Sequence, residues 1–166
     1  MSRDPEMFIK PELIPAFKER CKQAGIVVMI TRVDATELEQ MALYAQGRES
    51  LEAVNIKRNI ADMAPIKEKQ NRKVTWTLNS KHIPVIVRLD DKGNPVKKSR
   101  AFDFAVVKDG IPTWLSKIDV DLDGEADYLE CGIIGESLGL QWGGRWKDSE
   151  GKPNPDFPHL QWRTQR

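Results

Sequence analysis

The chain has two histidines, His82 and His159, and each lies among residues that could share a reaction with it. His159 sits in Asn154-Pro155-Asp156-Phe157-Pro158-His159-Leu160-Gln161-Trp162, with a carboxylate three residues upstream and prolines that limit how far the backbone wanders. His82 closes Thr77-Leu78-Asn79-Ser80-Lys81-His82, and Asp103 follows within the apolar run Ala101-Phe102-Asp103-Phe104-Ala105-Val106-Val107. A carboxylate flanked by two phenylalanines is costly to bury unless it is paired or bound to metal. Two histidines and such an aspartate are the ligand set of a catalytic zinc site, which takes three protein ligands and leaves a fourth position for water. Asp156 is then placed to take the proton from the attacking water and pass it to the leaving group. Against this stands a plainer view, in which two histidines far apart in the chain are ordinary core or surface residues and Asp103 pairs with Arg100. Spacing alone favours the plainer view.

The elements that must position these residues can be read from periodicity. Residues 11–24 place Leu13, Ile14, Phe17 and Cys21 at helical intervals, and Gly25 ends that helix. Ile26 to Ile30 reads as a short buried strand. A second helix starts near Asp34-Ala35-Thr36-Glu37, with Leu38, Met41, Ala42 and Ala45 on its inner face, and closes at Gly47. Arg48, just beyond, reads locally as a solvated arginine near a helix C-terminus. Residues 49–73 are charged and weakly patterned, an irregular or helical excursion. Strands are expected at 73–78, 84–89 and 99–106, and a helix between Glu125 and Leu138 that Gly132 and Gly135 weaken. Residues 140–147 read as an aromatic, glycine-rich loop. If the turn of the 83–100 stretch is centred on Lys92-Gly93, a plain hairpin sets His82 directly opposite Asp103, with their side chains on one face.

Composition narrows the remaining classes. With 26 basic and 25 acidic residues in 166, no global field argues for nucleic acid or an anionic membrane. The basic clusters at 97–100 and at the C-terminus read as solvated surface. The charged start of the chain has no signal-peptide pattern, and no run is long enough to span a bilayer, so the expectation is synthesis as a soluble cytoplasmic protein. Cys21 and Cys131 lack metal-type spacing and read as buried thiols in a reducing compartment. Trp142, Trp146 and Trp162 read as core or rim packing. The length suits one domain over 1–166, α+β in class, with a small antiparallel sheet flanked by helices.

Taken together and in order, the motifs resemble a family of zinc peptidases that includes phage L-alanyl-D-glutamate endopeptidases (endolysins) and D-alanyl-D-alanine carboxypeptidases of the vancomycin-resistance type. The residues that carry it are Ser80-Lys81-His82, Ala101-Phe102-Asp103-Phe104 and Asp156-Phe157-Pro158-His159, with Leu43-Tyr44-Ala45-Gln46-Gly47-Arg48 and Leu138-Gly139-Leu140-Gln141-Trp142-Gly143-Gly144 pointing to the endolysin branch. The resemblance implies that His82, Asp103 and His159 bind Zn2+ and that Asp156 is the general base. It implies further that Arg48 contacts a substrate carboxylate or the oxyanion, with Gln46 and Ser80 lining the cleft. The implied partner is the peptidoglycan stem peptide, cut between L-alanine and D-glutamate by a monomer that reaches the wall through a holin-type lesion. A carboxypeptidase acting on D-alanyl-D-alanine and a non-catalytic wall-binding protein are the alternatives. One departure is the long stretch between His82 and Asp103, which leaves Asp90 and Asp91 as alternative ligands and makes 83–100 a hairpin insertion.

Overall fold

The computed structural model describes residues 2–163, and the C-terminal basic cluster runs into 164–166, outside that range. The fold is α+β. Helices α1 (Leu13–Gln23), α2 (Glu37–Ala45), α3 (Leu51–Ile60) and α4 (Asp127–Ser137) accompany strands β1 (Val28–Arg32), β2 (Val85–Leu89), β3 (Pro95–Lys98), β4 (Ala101–Lys108), β5 (Ile111–Thr113), β6 (Leu140–Trp142) and β7 (His159–Trp162). None of the helices among the described residues is long and apolar enough to cross a membrane.

The main sheet runs β1-β4-β7-β6, all antiparallel, with β5 also on β4. Strand β4 is central because its alternation separates two chemistries. Phe102 and Phe104 are fully buried against α1, with ring centroids 5.6 and 5.1 Å from that of Phe17. Successive side chains of a strand point to opposite faces, so Asp103 between them faces away from this core. Strand β7 follows the same rule: Leu160 is buried in the core, and His159 and Gln161 share the face of Asp103. Cys21 and Cys131, on α1 and α4, are free, fully buried thiols, as expected.

Glycine makes the α4 contact possible. A methyl group at Gly132 would overlap the indole of Trp142, and one at Gly135 would press into Leu160. These are the glycines that weaken the helical pattern, and they are where α4 lies against β6 and β7. Gly132→Ala is expected to cost about 1–3 kcal/mol through overpacking, read as a fall in Tm; an unchanged Tm would contradict this packing.

Four expectations are corrected. The 73–78 segment forms no strand, because side chains take its backbone groups: Gln40 Nε2 donates to the Thr77 carbonyl at 2.7 Å and an Arg48 Nη to that of Thr75 at 3.0 Å. The inner face of α2 carries Gln40 and Ala42, whereas Leu38 and Met41 are each half exposed. The anchored loop rewards a buried amide there more than an apolar side chain. Residues 140–142 form a strand rather than part of a loop, since β7, itself paired on β4, supplies the edge on which so short a segment can pair.

The last correction concerns the hairpin. Its ladder pairs Val85 with Lys98 and Leu89 with Pro95 in a separate two-stranded sheet, so His82 and Asp103 are not ladder partners. The N-terminal segment interrupts the run at Ser99, whose N–H donates to the Met7 carbonyl at 2.7 Å while its carbonyl accepts from Ile9 at 2.9 Å. The hairpin still returns the chain to its start: the Arg100 N–H donates to the Lys81 carbonyl at 2.8 Å.

Candidate metal centre

His82, in the turn before β2, is 2 % exposed, and two contacts fix it. Its carbonyl accepts from the Ala35 N–H at 3.0 Å, and its Nδ1 lies 3.0 Å from the Val33 carbonyl. A carbonyl can only accept, so Nδ1 carries the proton and Nε2 presents a lone pair. That nitrogen is 3.1 Å from Asp103 Oδ1 and 3.3 Å from His159 Nδ1.

His159 is oriented from its other side. Register on β4 places it opposite Asp103, and its Nδ1 stands 2.9 Å from Asp103 Oδ1. Its Nε2 lies 3.2 Å from Gln161 Oε1, and the Gln161 amide donates onward to Gln141 Oε1 at 2.8 Å. The relay Gln141-Gln161-His159 assigns the proton to Nε2 and leaves Nδ1 as a second lone pair aimed at the same point. Hydrogen bonding of the remote nitrogen is the usual way a ligating histidine is held. Sequence reading missed Gln161, although its place two residues after His159 on a strand could have indicated a shared face.

The result is three acceptors converging without a donor. The ligand atoms of His82, Asp103 and His159 lie within 4.8 Å of one another, a group able to hold a metal ion. A proton on one imidazole is the substitute when no cation is bound. Burial would raise the Asp103 carboxyl, but the His82 and His159 imidazoles outweigh it and hold the group well below the usual carboxylate range. Burial likewise opposes charge on His159, yet the Asp103 carboxylate lifts its pKa above 6.5.

These shifts set a pH dependence. For a histidine whose folded pKa is raised, the stabilisation is complete below the unfolded value and is lost as pH rises through the folded one. Metal uptake runs the other way, because a ligating imidazole must first lose its proton. In the window that opens as pH rises above the ordinary histidine value, the metal-free chain should lose Tm relative to a His159→Gln variant, while affinity for a divalent metal rises. An affinity flat across that window would contradict the assignment.

The cluster opens into a cleft of about 890 Å³, within the size range of ligand sites. Its wall includes the exposed indoles of Trp76 and Trp114 and, beside the cluster, Trp146, whose ring centroid is 4.9 Å from that of His159. Asp156 and Ser80 also line it. Asp156 is held by its N–H on the Gly143 carbonyl at 3.0 Å, and its own carbonyl accepts from His159 at 3.2 Å. Its carboxyl is open to the cleft. Desolvation by the walls and then the charge of Asp103 raise its pKa above 3.8, against the pull of His159, His82 and Arg32.

Not every expected residue reaches the cleft. Gln46 is 4 % exposed and accepts from Arg58 at 2.8 Å, outside the lining residues. Arg48 is also outside them, its guanidinium over the Tyr44 ring at 3.9 Å and bonded to the Tyr44 carbonyl at 2.6 Å. The alternative ligand Asp90 caps the remote hairpin turn, accepting from the N–H groups of Lys92 and Asn94 at 2.9 and 2.8 Å. Asp91 is exposed on the same turn.

Arg32 is a second residue that sequence reading missed. It ends β1 opposite Asp103 in register, lines the cleft, and donates from Nη2 to Gln40 Oε1 at 2.9 Å. Its Nε is buried without a partner among the described residues. Burial lowers its pKa, opposed by the charges of Asp103, Glu39, Asp156 and Asp34. A single arginine after an apolar run gives no local signal, and only the β1–β4 register reveals it.

No protein-family model matches the chain. Over 62 residues the chain is 40 % identical to the peptidoglycan L-alanyl-D-glutamate endopeptidase CwlK of Bacillus subtilis (strain 168). The matched stretch is 37 % of this chain and 34 % of CwlK, so the chain spans about a third of the length of that relative. The similarity is to a peptidase and agrees in kind with the chemistry of the cluster.

Proposed function

We propose that the chain is a zinc-dependent peptidoglycan peptidase that cuts the stem peptide between L-alanine and D-glutamate. The observation that carries this reading is the convergence of His82 Nε2, Asp103 Oδ1 and His159 Nδ1 at the floor of a cleft that Asp156 also lines. Zinc fits that donor set. Ligand atoms at about 2.0–2.1 Å from a tetrahedral ion lie about 3.3 Å from each other, and the three separations here are 3.1, 3.3 and 2.9 Å. The partial similarity to CwlK supports the substrate.

Bound there, zinc acidifies water and polarises the carbonyl under attack. The remaining steps belong to the chain. Asp156, its basicity raised by desolvation, takes the proton of the attacking water and delivers it to the departing amine of D-glutamate. Arg32 presents cationic charge beside Asp103, where a substrate carboxylate or the developing oxyanion can meet it. The indoles of Trp76, Trp114 and Trp146 give the stem peptide an apolar wall. Gln161 and Val33 keep both imidazoles turned toward the ion. In this reading the chain acts as a phage or prophage lysin, as a monomer, on wall reached after membrane release.

Purified peptidoglycan digested with the zinc-loaded chain tests the reading by mass spectrometry of the products. New N-terminal D-glutamate on stem peptides is the expected result. Free D-alanine as sole product would assign the carboxypeptidase reaction instead, and intact peptidoglycan would favour a wall-binding role.

A further inference from the structure

A second carboxylate cluster lies in the β5–α4 connection, away from the metal centre. The segment Asp119-Val120-Asp121-Leu122-Asp123-Gly124-Glu125-Ala126-Asp127-Tyr128-Leu129-Glu130 has the spacing of a twelve-residue calcium loop. In such loops carboxylates stand at positions 1, 3, 5, 9 and 12, glycine at position 6 makes a sharp turn, and a backbone carbonyl at position 7 completes the shell. Every position is matched here. Gly124 has φ +96°, as the turn at position 6 requires. Its N–H donates to Asp119 Oδ2 at 3.1 Å, which closes the loop on its first ligand.

The side chains have been brought together. Oxygens of Asp119, Asp121 and Asp127 lie within 4.8 Å of one another, and so do those of Asp121, Asp123 and Glu130. Two ligands on opposite sides of a calcium ion, at about 2.3–2.6 Å each, stand up to about 5 Å apart. No lysine or arginine occurs from 118 to 130 to neutralise the group.

An independent observation points to a ligand. Asp127 is 0 % exposed. Its Oδ2 accepts from the Val120 N–H at 3.0 Å and its Oδ1 has no hydrogen-bond partner, while a carboxylate oxygen of the residue lies within 4.8 Å of oxygens of Asp119 and Asp121. Of the five buried side-chain polar atoms without a partner among the described residues, three are Asp119 Oδ1, Asp127 Oδ1 and Glu130 Oε2. A buried carboxylate oxygen with no donor is costly, and a hard cation supplies what is missing. Burial and then the neighbouring acidic charges raise the pKa of Asp127 and of Glu130, the response of carboxylates crowded without a counter-ion.

We propose that residues 119–130 form a calcium site, with Asp119, Asp121, Asp123, Asp127 and Glu130 supplying carboxylate oxygens and Glu125 a backbone carbonyl. The ion ties the β5–α4 loop to the first turn of α4. That turn carries Tyr128, whose ring packs on Phe104 with centroids 5.4 Å apart and whose hydroxyl donates to the Thr113 carbonyl at 2.8 Å. Calcium thus fixes the helix that backs the main sheet, and this role is independent of the reaction proposed above.

The test is calorimetric titration of calcium chloride, and separately magnesium chloride, into the zinc-loaded full chain, wild type beside Asp127→Asn and Glu130→Gln. Asn keeps an acceptor for the Val120 N–H, and Glu130 is only partly buried, so folding does not depend on either charge. One calcium per chain with Kd below about 10⁻³ M is expected, at least about tenfold weaker in each variant. Calcium at roughly a hundred times Kd should raise the wild-type Tm by about 5–10 °C. No saturable binding by about 10 mM calcium, binding untouched by both substitutions, or equal affinity for magnesium would overturn the assignment.

Discussion

Asp156→Asn is expected to lower kcat/KM on stem peptide by roughly 10²- to 10⁴-fold, the range for loss of a positioned general base and acid, while one zinc per chain and the native Tm are kept. The variant is close to isosteric and leaves the backbone bonds of residue 156 to Gly143 and His159 in place. What it removes is a carboxyl whose pKa desolvation has raised, which makes it a better base than a solvated aspartate and a usable acid in the second half of the reaction. Loss of zinc in this variant would make Asp156 a ligand instead. Activity within about twofold of wild type would remove it from the chemistry.

The second large effect is expected at Arg32. Arg32→Ala should cost about 10²- to 10³-fold in kcat, the scale of removing one preorganised donor to developing charge, and Arg32→Lys should recover part of it. Arg48→Ala provides the contrast. Arg48 braces the cleft wall through the Thr75 carbonyl and lies outside the lining residues, so its loss should loosen the Trp76 segment and raise KM more than it lowers kcat. Steady-state kinetics on a synthetic stem peptide separates the two. A larger kcat loss in Arg48→Ala than in Arg32→Ala would return the charge-stabilising role to Arg48, where the family resemblance puts it.

Much of this architecture was legible because local pattern and tertiary need agree. Helix α1 and strand β1 follow from periodicity, and the buried thiols from the lack of metal-type spacing between Cys21 and Cys131. The capping box that starts α2 joins Thr36, inside the expected start region, to Glu39. The nearness of His82 and Asp103 was also legible, although the route was not. The Lys92-Gly93 turn suggested one continuous ladder, and only the N-terminal segment at Ser99, distant in sequence, splits it into β3 and β4. The 73–78 alternation misled because a strand needs an edge, and here the side chains of Gln40 and Arg48 satisfy the backbone instead. Strands β6 and β7 are too short to declare themselves without a partner, β4 for β7 and β7 for β6. Leu38 and Met41 show the limit of reading an inner face from hydrophobicity alone, since the polar anchor Gln40 turns α2 the other way.

The central claim, that His82, Asp103 and His159 hold one catalytic zinc, is tested most directly by elemental mass spectrometry of freshly purified, unchelated protein, wild type beside His82→Ala and Asp103→Ala. The account predicts about one zinc per wild-type chain and loss of it in both variants, because removing either leaves two protein ligands where a stable catalytic site needs three. Wild-type protein without zinc, or zinc retained in Asp103→Ala, would contradict it.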